Sequence, residues 1–183
     1  PSGSGKGTIS QLLAEKLKWH FLDSGILYRV VAFAAKQHAI SPSDAVTLAV
    51  LAAHLDVQFK ANDLGFAPQI IFEGKNVTHL IRSEDYSQLA SQIAAHPPVR
   101  QALLGRQQDF RQRPGLIADG RDMGTVVFPD ADAKFYIIAS DSVRAKRRYL
   151  QLKQKGINAS LEQVFADLAE RDKRDKQRSA APM

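Results

Sequence analysis

The chain begins Pro1-Ser2-Gly3-Ser4-Gly5-Lys6-Gly7-Thr8 and passes without a break into an apolar-periodic segment, and this junction constrains the fold more than any other stretch. Three glycines among small side chains let the backbone curl so that successive N–H groups face one anion, with a lysine beside them. The residues make up most of a phosphate-binding loop of the GxxxxGK[ST] type, whose first glycine would precede Pro1. Gly7 occupies the slot where a Ser or Thr usually follows the lysine. Thr8 comes one place later, so its hydroxyl is shifted from the position that ligates magnesium directly. The competing reading, a flexible Gly/Ser tail, fits poorly with Ile9, Leu12, Leu13 and Leu17, which predict one apolar face of a helix from Gly7 to Lys18. Such a helix aims its positive dipole end at the loop. A loop of this type normally follows a buried strand, which predicts an α/β fold and, together with an end at Ser179-Ala180-Ala181-Pro182-Met183, a domain incomplete at both ends.

The rest of the chain alternates in the same sense. Trp19 to Leu22 predicts a short strand ending at Asp23-Ser24-Gly25, then a helix from Ile26 to Gln37 with Tyr28, Val31, Ala32 and Ala35 inward. Ser41-Pro42-Ser43-Asp44 predicts a Ser-capped helix running to about Leu55. Short strands at Val57 to Lys60, Gln69 to Glu73 and Asn76 to Val77, with turns at 62–65 and 73–75, form a β-rich interruption. Ser83 with Glu84 and Asp85 opens a helix to Ala95, and Pro97-Pro98 opens another that lasts until Arg113-Pro114-Gly115. Leu116 to Ala118 and Lys134 to Ala139 predict two more strands. Asp141 caps a helix to Lys155 that stops at Gly156, and Ser160 with Gln163 makes a capping box for the last, charged helix. Strands alternating with helices imply a parallel sheet with helices on both faces.

Composition narrows the classes. A chain of 183 residues, 44% hydrophobic and 24% charged, suits one ordinary globular domain. No apolar run approaches the roughly 18 residues of a membrane span. The absence of cysteine excludes disulfides and thiolate metal sites and fits a reducing, cytoplasmic setting. A formal net charge of +6 points to an anionic partner, either nucleic acid or a phosphorylated small molecule. Histidines 20, 38, 54, 79 and 96 lack metal-ligand spacing, and basic residues are not interleaved with aromatics as base stacking would require.

In a parallel sheet, ligands gather beyond the carboxyl ends of the strands. The candidates there are the loop with Lys6, then Asp23-Ser24-Gly25 with Arg29, then Asp119-Gly120-Arg121-Asp122. Asp119 ends an apolar strand, where an acid can hold magnesium directly or through water; a turn aspartate is the plainer alternative. Arg121 at such a strand end calls for an anion. On the final helix Arg171, Arg174 and Arg178 fall at i, i+3 and i+7, with Asp175 between them and Arg144, Arg147 and Arg148 on the helix before. A salt-bridged surface helix would give the same pattern, but beside a phosphate loop these arginines can supply positive charge to a phosphoryl group in flight.

Taken together, the Gly3-x-Gly5-Lys6-Gly7-Thr8 loop, Leu22-Asp23-Ser24-Gly25 with Tyr28-Arg29, Ile117 to Thr125, and Glu170-Arg171-Asp172 through Arg174-Asp175 to Arg178 resemble bacterial cytidylate kinases, nucleoside monophosphate kinases of the P-loop kind. The likeness covers essentially the whole chain. It implies a single P-loop kinase domain over 1–183, with a small β-rich monophosphate-binding insertion at about 56–97 and a lid of arginine-rich helices over 144–178. It also implies transfer of the ATP γ-phosphate to CMP or dCMP with Mg2+, by a cytoplasmic monomer acting on small molecules, without nucleic acid or membrane as partners. Carried over by position, Pro1, Ser2, Gly3, Ser4, Gly5, Lys6, Gly7 and Thr8 would bind ATP, with Lys6, Arg29, Arg121 and Arg178 catalytic. Arg29, Arg121 and Arg178 would hold the acceptor phosphate and the group being transferred. Ser24, Arg100 and Asp122 would read the cytosine edge, Ser91, Arg171 and Asp175 the sugar, and Asp119 the metal. Two competing readings are a kinase for another monophosphate or small molecule, and a basic RNA-binding protein with a vestigial loop. Turnover with different acceptors separates the first, and salt-dependent RNA binding without ATP turnover would identify the second.

Overall fold

The computed structural model describes residues 1–62, 65–154 and 156–177. Residues 63, 64, 155 and 178–183 lie outside that set, and with them Arg178 and the middle of the stretch expected as a turn at 62–65. The described chain divides into two units: one of residues 1–9 and 121–183, the other of residues 10–120.

The second unit holds the parallel pairing. Strand β1 (His20–Asp23) lies beside β5 (Leu116–Asp119) in parallel, with Leu22 opposite Ala118 and Asp23 opposite Asp119. Both strands therefore end on a carboxylate, side by side at the carboxyl edge of the pair. At the other end, a Cβ on Gly115 would stand 2.5 Å from the Trp19 ring, so only glycine lets β5 enter beneath the indole.

Helix α2 (Ser24–Gln37) starts where β1 stops, because the Asp23 side chain accepts the Gly25 N–H at 3.0 Å and caps it. The expected stripe of Tyr28, Val31, Ala32 and Ala35 is buried, and so are Ile26, Leu27, Val30, Phe33 and Ala34. Between Ile26 and Ala35 only Arg29 is charged, and a helix so nearly apolar all round belongs in a core. It packs against α3 (Ala45–Ala53) and α4 (Glu84–Ile93), and α3 packs on α5 (Pro97–Gln108). The β-rich stretch is an antiparallel three-stranded sheet in the order β2 (Val57–Asn62), β3 (Gly65–Phe72), β4 (Lys75–Asn76). A single 3₁₀ turn, Leu80–Arg82, leads from it to α4, which Ser83 caps as expected. Helix α5 starts at Pro97 but ends before Phe110, whose ring meets Phe59 edge-on at 5.2 Å.

In the first unit, α6 (Asp141–Gln154) packs on α7 (Leu161–Gln177) through Ala145, Leu152, Val164 and Leu168. Gly156, at φ +72°, closes α6 with the Ile157 N–H donating to the Leu152 carbonyl at 3.0 Å.

Several expectations are corrected. Residues 134–139 form no strand: among the described residues nothing pairs with them, and Phe135, Tyr136 and Ile138 are 82%, 63% and 73% exposed. A β-prone run becomes a strand only when another strand takes its N–H and C=O groups. Helix α1 (Lys6–Leu17) forms, but Ile9, Leu12, Leu13 and Leu17 are exposed and Ala14 alone is buried. Asp44, not Ser41, caps α3, because its carboxylate takes both the Thr47 N–H at 3.0 Å and the Thr47 hydroxyl at 2.6 Å. Ser41 instead shares its hydroxyl with Ser43. Ser140 rather than Asp141 caps α6 by accepting the Val143 N–H at 3.4 Å, and Asp141 turns to Arg144. Only half of the capping box of α7 forms: Ser160 accepts the Gln163 N–H, while the Gln163 amide reaches forward to Asp167.

Candidate active site

The phosphate loop is built from backbone conformations that suit glycine. Gly3 and Gly5 stand at φ +76° and +94°, and α1 begins at Lys6, so the loop ends on a helix N-terminus. The Ser4 hydroxyl donates to the Pro1 carbonyl at 3.1 Å and closes the curl from inside, where Ser4 is buried. Helix α6 supplies two more clamps. Arg144 donates to the Ser2 carbonyl at 3.1 Å and Arg147 to the Ser4 carbonyl at 3.0 Å. A Cβ on Gly3 would lie 3.2 Å from the Arg144 carbonyl oxygen, so the loop is pressed against α6.

Arg144 is buried, and its guanidinium bonds Asp141 and Asp172, each at 2.5 Å. Burial works against its charge, but the hydrogen bonds and charges of Asp172 and Asp141 outweigh that, so its pKa is raised further. Arg148, one turn on, is pushed the other way by burial.

Two candidates in this unit meet each other. The Arg121 Nε donates to a carboxylate oxygen of Asp175, which has no exposed side-chain surface. Asp122 is buried at the head of a single π-helical turn, Met123–Val127. Its carbonyl receives the N–H groups of Thr125, Val126 and Val127, and its side chain does not cap the turn. Such turns recur at functional sites, and the residue pattern of 123–127 does not signal this one. Arg171 stands on α7 one turn before Asp175, while Arg178 lies outside the described residues.

The remaining candidates belong to the second unit. Ser24 is buried at the first position of α2, and Arg29 lies one turn further along it. The Arg29 guanidinium donates to the Ile81 carbonyl at 2.9 Å, the Ser83 carbonyl at 3.3 Å and the Ser87 hydroxyl at 2.9 Å. It is thereby oriented against the start of α4. Ser87 is a residue the sequence reading missed; its only signal was helical spacing from the Ser83 cap. On the same helix, Ser91 is buried and its hydroxyl has no hydrogen-bond partner among the described residues. A buried hydroxyl in that state has unused capacity to donate and accept. Arg100 is buried too, donating to the Ala94 carbonyl at 3.0 Å with its guanidinium 5.5 Å from the centre of the Tyr28 ring.

Asp119 is buried at the end of β5 beside Asp23. Among the described residues no three His, Cys, Asp or Glu side chains gather as a metal cage. One or two strand-end carboxylates suit magnesium, a hard ion that completes its shell with phosphates and water. The donor chemistry therefore fits an ion carried on a nucleotide.

Chemically, the first unit offers backbone N–H groups, a lysine and arginines for phosphate, and the second offers an oriented guanidinium, a buried hydroxyl and a strand-end acid. A family model described as cytidylate kinase matches residues 1–183. The chain is 56% identical over its full length to proteins named cytidylate kinase from Pseudomonas savastanoi pv. phaseolicola (strain 1448A / Race 6) and Stutzerimonas stutzeri (strain A1501), covering 80% of each relative. It is 55% identical, with the same coverage, to the cytidylate kinase of Pseudomonas aeruginosa (strain UCBPP-PA14). With a loop of this geometry and a match over every residue, the chain belongs to the cytidylate kinase family.

Proposed function

We propose that the protein transfers the γ-phosphoryl group of ATP to CMP or dCMP, giving ADP and CDP or dCDP in pyrimidine nucleotide metabolism. The observation that carries this reading is the loop 1–8, with glycines at positive φ leading into a helix N-terminus, in a chain that matches its family throughout. A phosphate oxygen of CMP bonds to the γ-phosphorus as the bond to the β-phosphate oxygen breaks, and the electron pair leaves on ADP. The acceptor is already ionised, so no general base is needed. Catalysis is positioning and charge stabilisation, aided by the exclusion of water.

In this reading the loop with Lys6 holds the ATP phosphates. Arg29, Arg121 and Arg178 hold the acceptor phosphate and the group in transfer. Ser24, Arg100 and Asp122 read the base, and Ser91, Arg171 and Asp175 hold the sugar. An Asp accepting from the exocyclic amine of cytosine and an Arg donating to its acceptors would disfavour uracil, whose exocyclic oxygen would face a carboxylate. Magnesium bound near Asp119 would neutralise charge on the triphosphate. The antiparallel sheet and α4, within 56–97, are the monophosphate-binding insertion, and the helices over 144–178 are the lid. Among the described residues no helix is long and apolar enough to cross a membrane. The reading is of a cytoplasmic monomer with small-molecule partners.

The test is Asp122→Asn. The preference for CMP over UMP in kcat/KM should fall by about tenfold or more, with ATP affinity within about twofold of the unaltered protein. Equal loss on both acceptors would make Asp122 structural, and faster turnover of AMP or TMP than of CMP would overturn the acceptor assignment.

A further inference from the structure

We infer that Arg144 and Arg147 are positioning residues that preset the phosphate loop from behind, and that Asp172 ties this preset to α7. The inference rests on reading the loop as the ATP site. In a trans peptide the C=O of one residue and the N–H of the next point in opposite directions. The sole cis bond among the described residues is at Arg113-Pro114, so the bonds into Gly3 and Gly5 are trans. Arg144 holds the carbonyl of Ser2, and Arg147 holds that of Ser4. Two alternate peptides are thus fixed with their oxygens toward α6, which turns the N–H groups of Gly3 and Gly5 away from it. Both lie at the positive-φ glycines, the positions where an unrestrained backbone has the most freedom to rotate. Without the arginines these peptides could flip and present carbonyl oxygens, which repel phosphate.

The two arginines are three residues apart on one face of α6, so a single helix spaces both clamps. They differ in their surroundings. Arg147 is exposed, whereas Arg144 is buried and bonded to Asp141 of its own helix and Asp172 of α7. One guanidinium therefore serves the loop and the helix that carries Arg171 and Asp175. A lysine could not replace it, because an ammonium lacks the planar fork that meets a carbonyl and two carboxylates in fixed directions.

Calorimetric titration with ATP, together with KM values for both substrates, tests the inference. Arg147→Met, at an exposed position, should keep the melting temperature and raise the ATP Kd and KM by about five- to tenfold, the value of one ordinary hydrogen bond, since water screens the exposed guanidinium. KM for CMP should stay within about twofold. Arg144→Gln should weaken ATP by about tenfold or more, and Arg144→Lys should not restore it. Asp172→Asn should weaken ATP when Arg144 is present but add little to Arg144→Gln, the mark of action through the arginine. If the unaltered chain binds ATP and the Arg147→Met and Arg144→Gln variants bind it within about twofold as well, the inference is overturned. If the unaltered chain does not bind ATP, the reading of the loop falls and takes the inference with it.

Discussion

Replacing Asp175 with Asn would remove the charge facing Arg121 and leave the shape of the side chain almost unchanged. The Asp175 side chain has no exposed surface, and that of Arg121 is 16% exposed. Removing one partner of a fully buried ion pair costs about 3–5 kcal/mol, chiefly because the other charge is stranded. Here the stranded arginine keeps some contact with water, and the Asn amide oxygen can still accept from Arg121 Nε. Both effects lower the cost, so about 2 kcal/mol is expected, close to the value of one hydrogen bond to a charged group. At about 1.4 kcal/mol per decade, that is roughly a thirtyfold fall in the folding equilibrium constant. Urea unfolding followed by far-ultraviolet circular dichroism reads it as a lower midpoint with an unchanged slope. If the cost comes from the stranded charge, adding Arg121→Met should recover part of the lost stability. An Asp175→Asn midpoint equal to that of the unaltered protein, or a double variant no more stable than the single one, would refute the reasoning.

Gly3→Ala should weaken ATP binding by about tenfold or more and cost about 1–2 kcal/mol of stability, since a side chain at φ +76° is strained and its Cβ meets the Arg144 backbone at 3.2 Å. Gly74→Ala, at the same φ but with nothing within 4 Å, should show the strain without the effect on ATP; equal ATP losses would refute the close-contact argument. Asp44 has its pKa lowered by the Thr47 hydroxyl and then the Thr47 N–H, so its stabilising effect is full above the ordinary carboxylate range and is lost as pH falls through the lowered value. The melting-temperature gap between the unaltered protein and Asp44→Ala should therefore be full at about pH 6 and narrow below about pH 4; a constant gap would refute the assignment.

What could be read in advance was whatever local chemistry decides. The loop, the inward stripe of α2, the Ser83 cap and the strand ending on Asp119 each carry their signal within a few adjacent residues. Where two local signals compete, the chain settles the matter by geometry, as when Asp44 offers one carboxylate to two Thr47 donors and displaces Ser41 as the cap. Residues 134–139 show the opposite limit, because strand character depends on a partner and not on the run itself. The arrangement of site residues was least legible. Arg121 and Asp175 are 54 residues apart, and Arg144 reaches Ser2 across 142. The sequence showed that these arginines exist and share helix faces, but not that two of them would be spent on loop carbonyls.

The Trp19–Gly115 contact also gives the molecule a built-in optical probe. Trp19 is the chain's single tryptophan, and its indole lies over the backbone at the entry to β5. Its emission therefore reports the pairing of β1 with β5, whose far ends carry Asp23 and Asp119. The loop clamps and the Arg121–Asp175 pair belong to the other unit and contain no indole, so fluorescence follows the strand pair while circular dichroism follows the helices of both units.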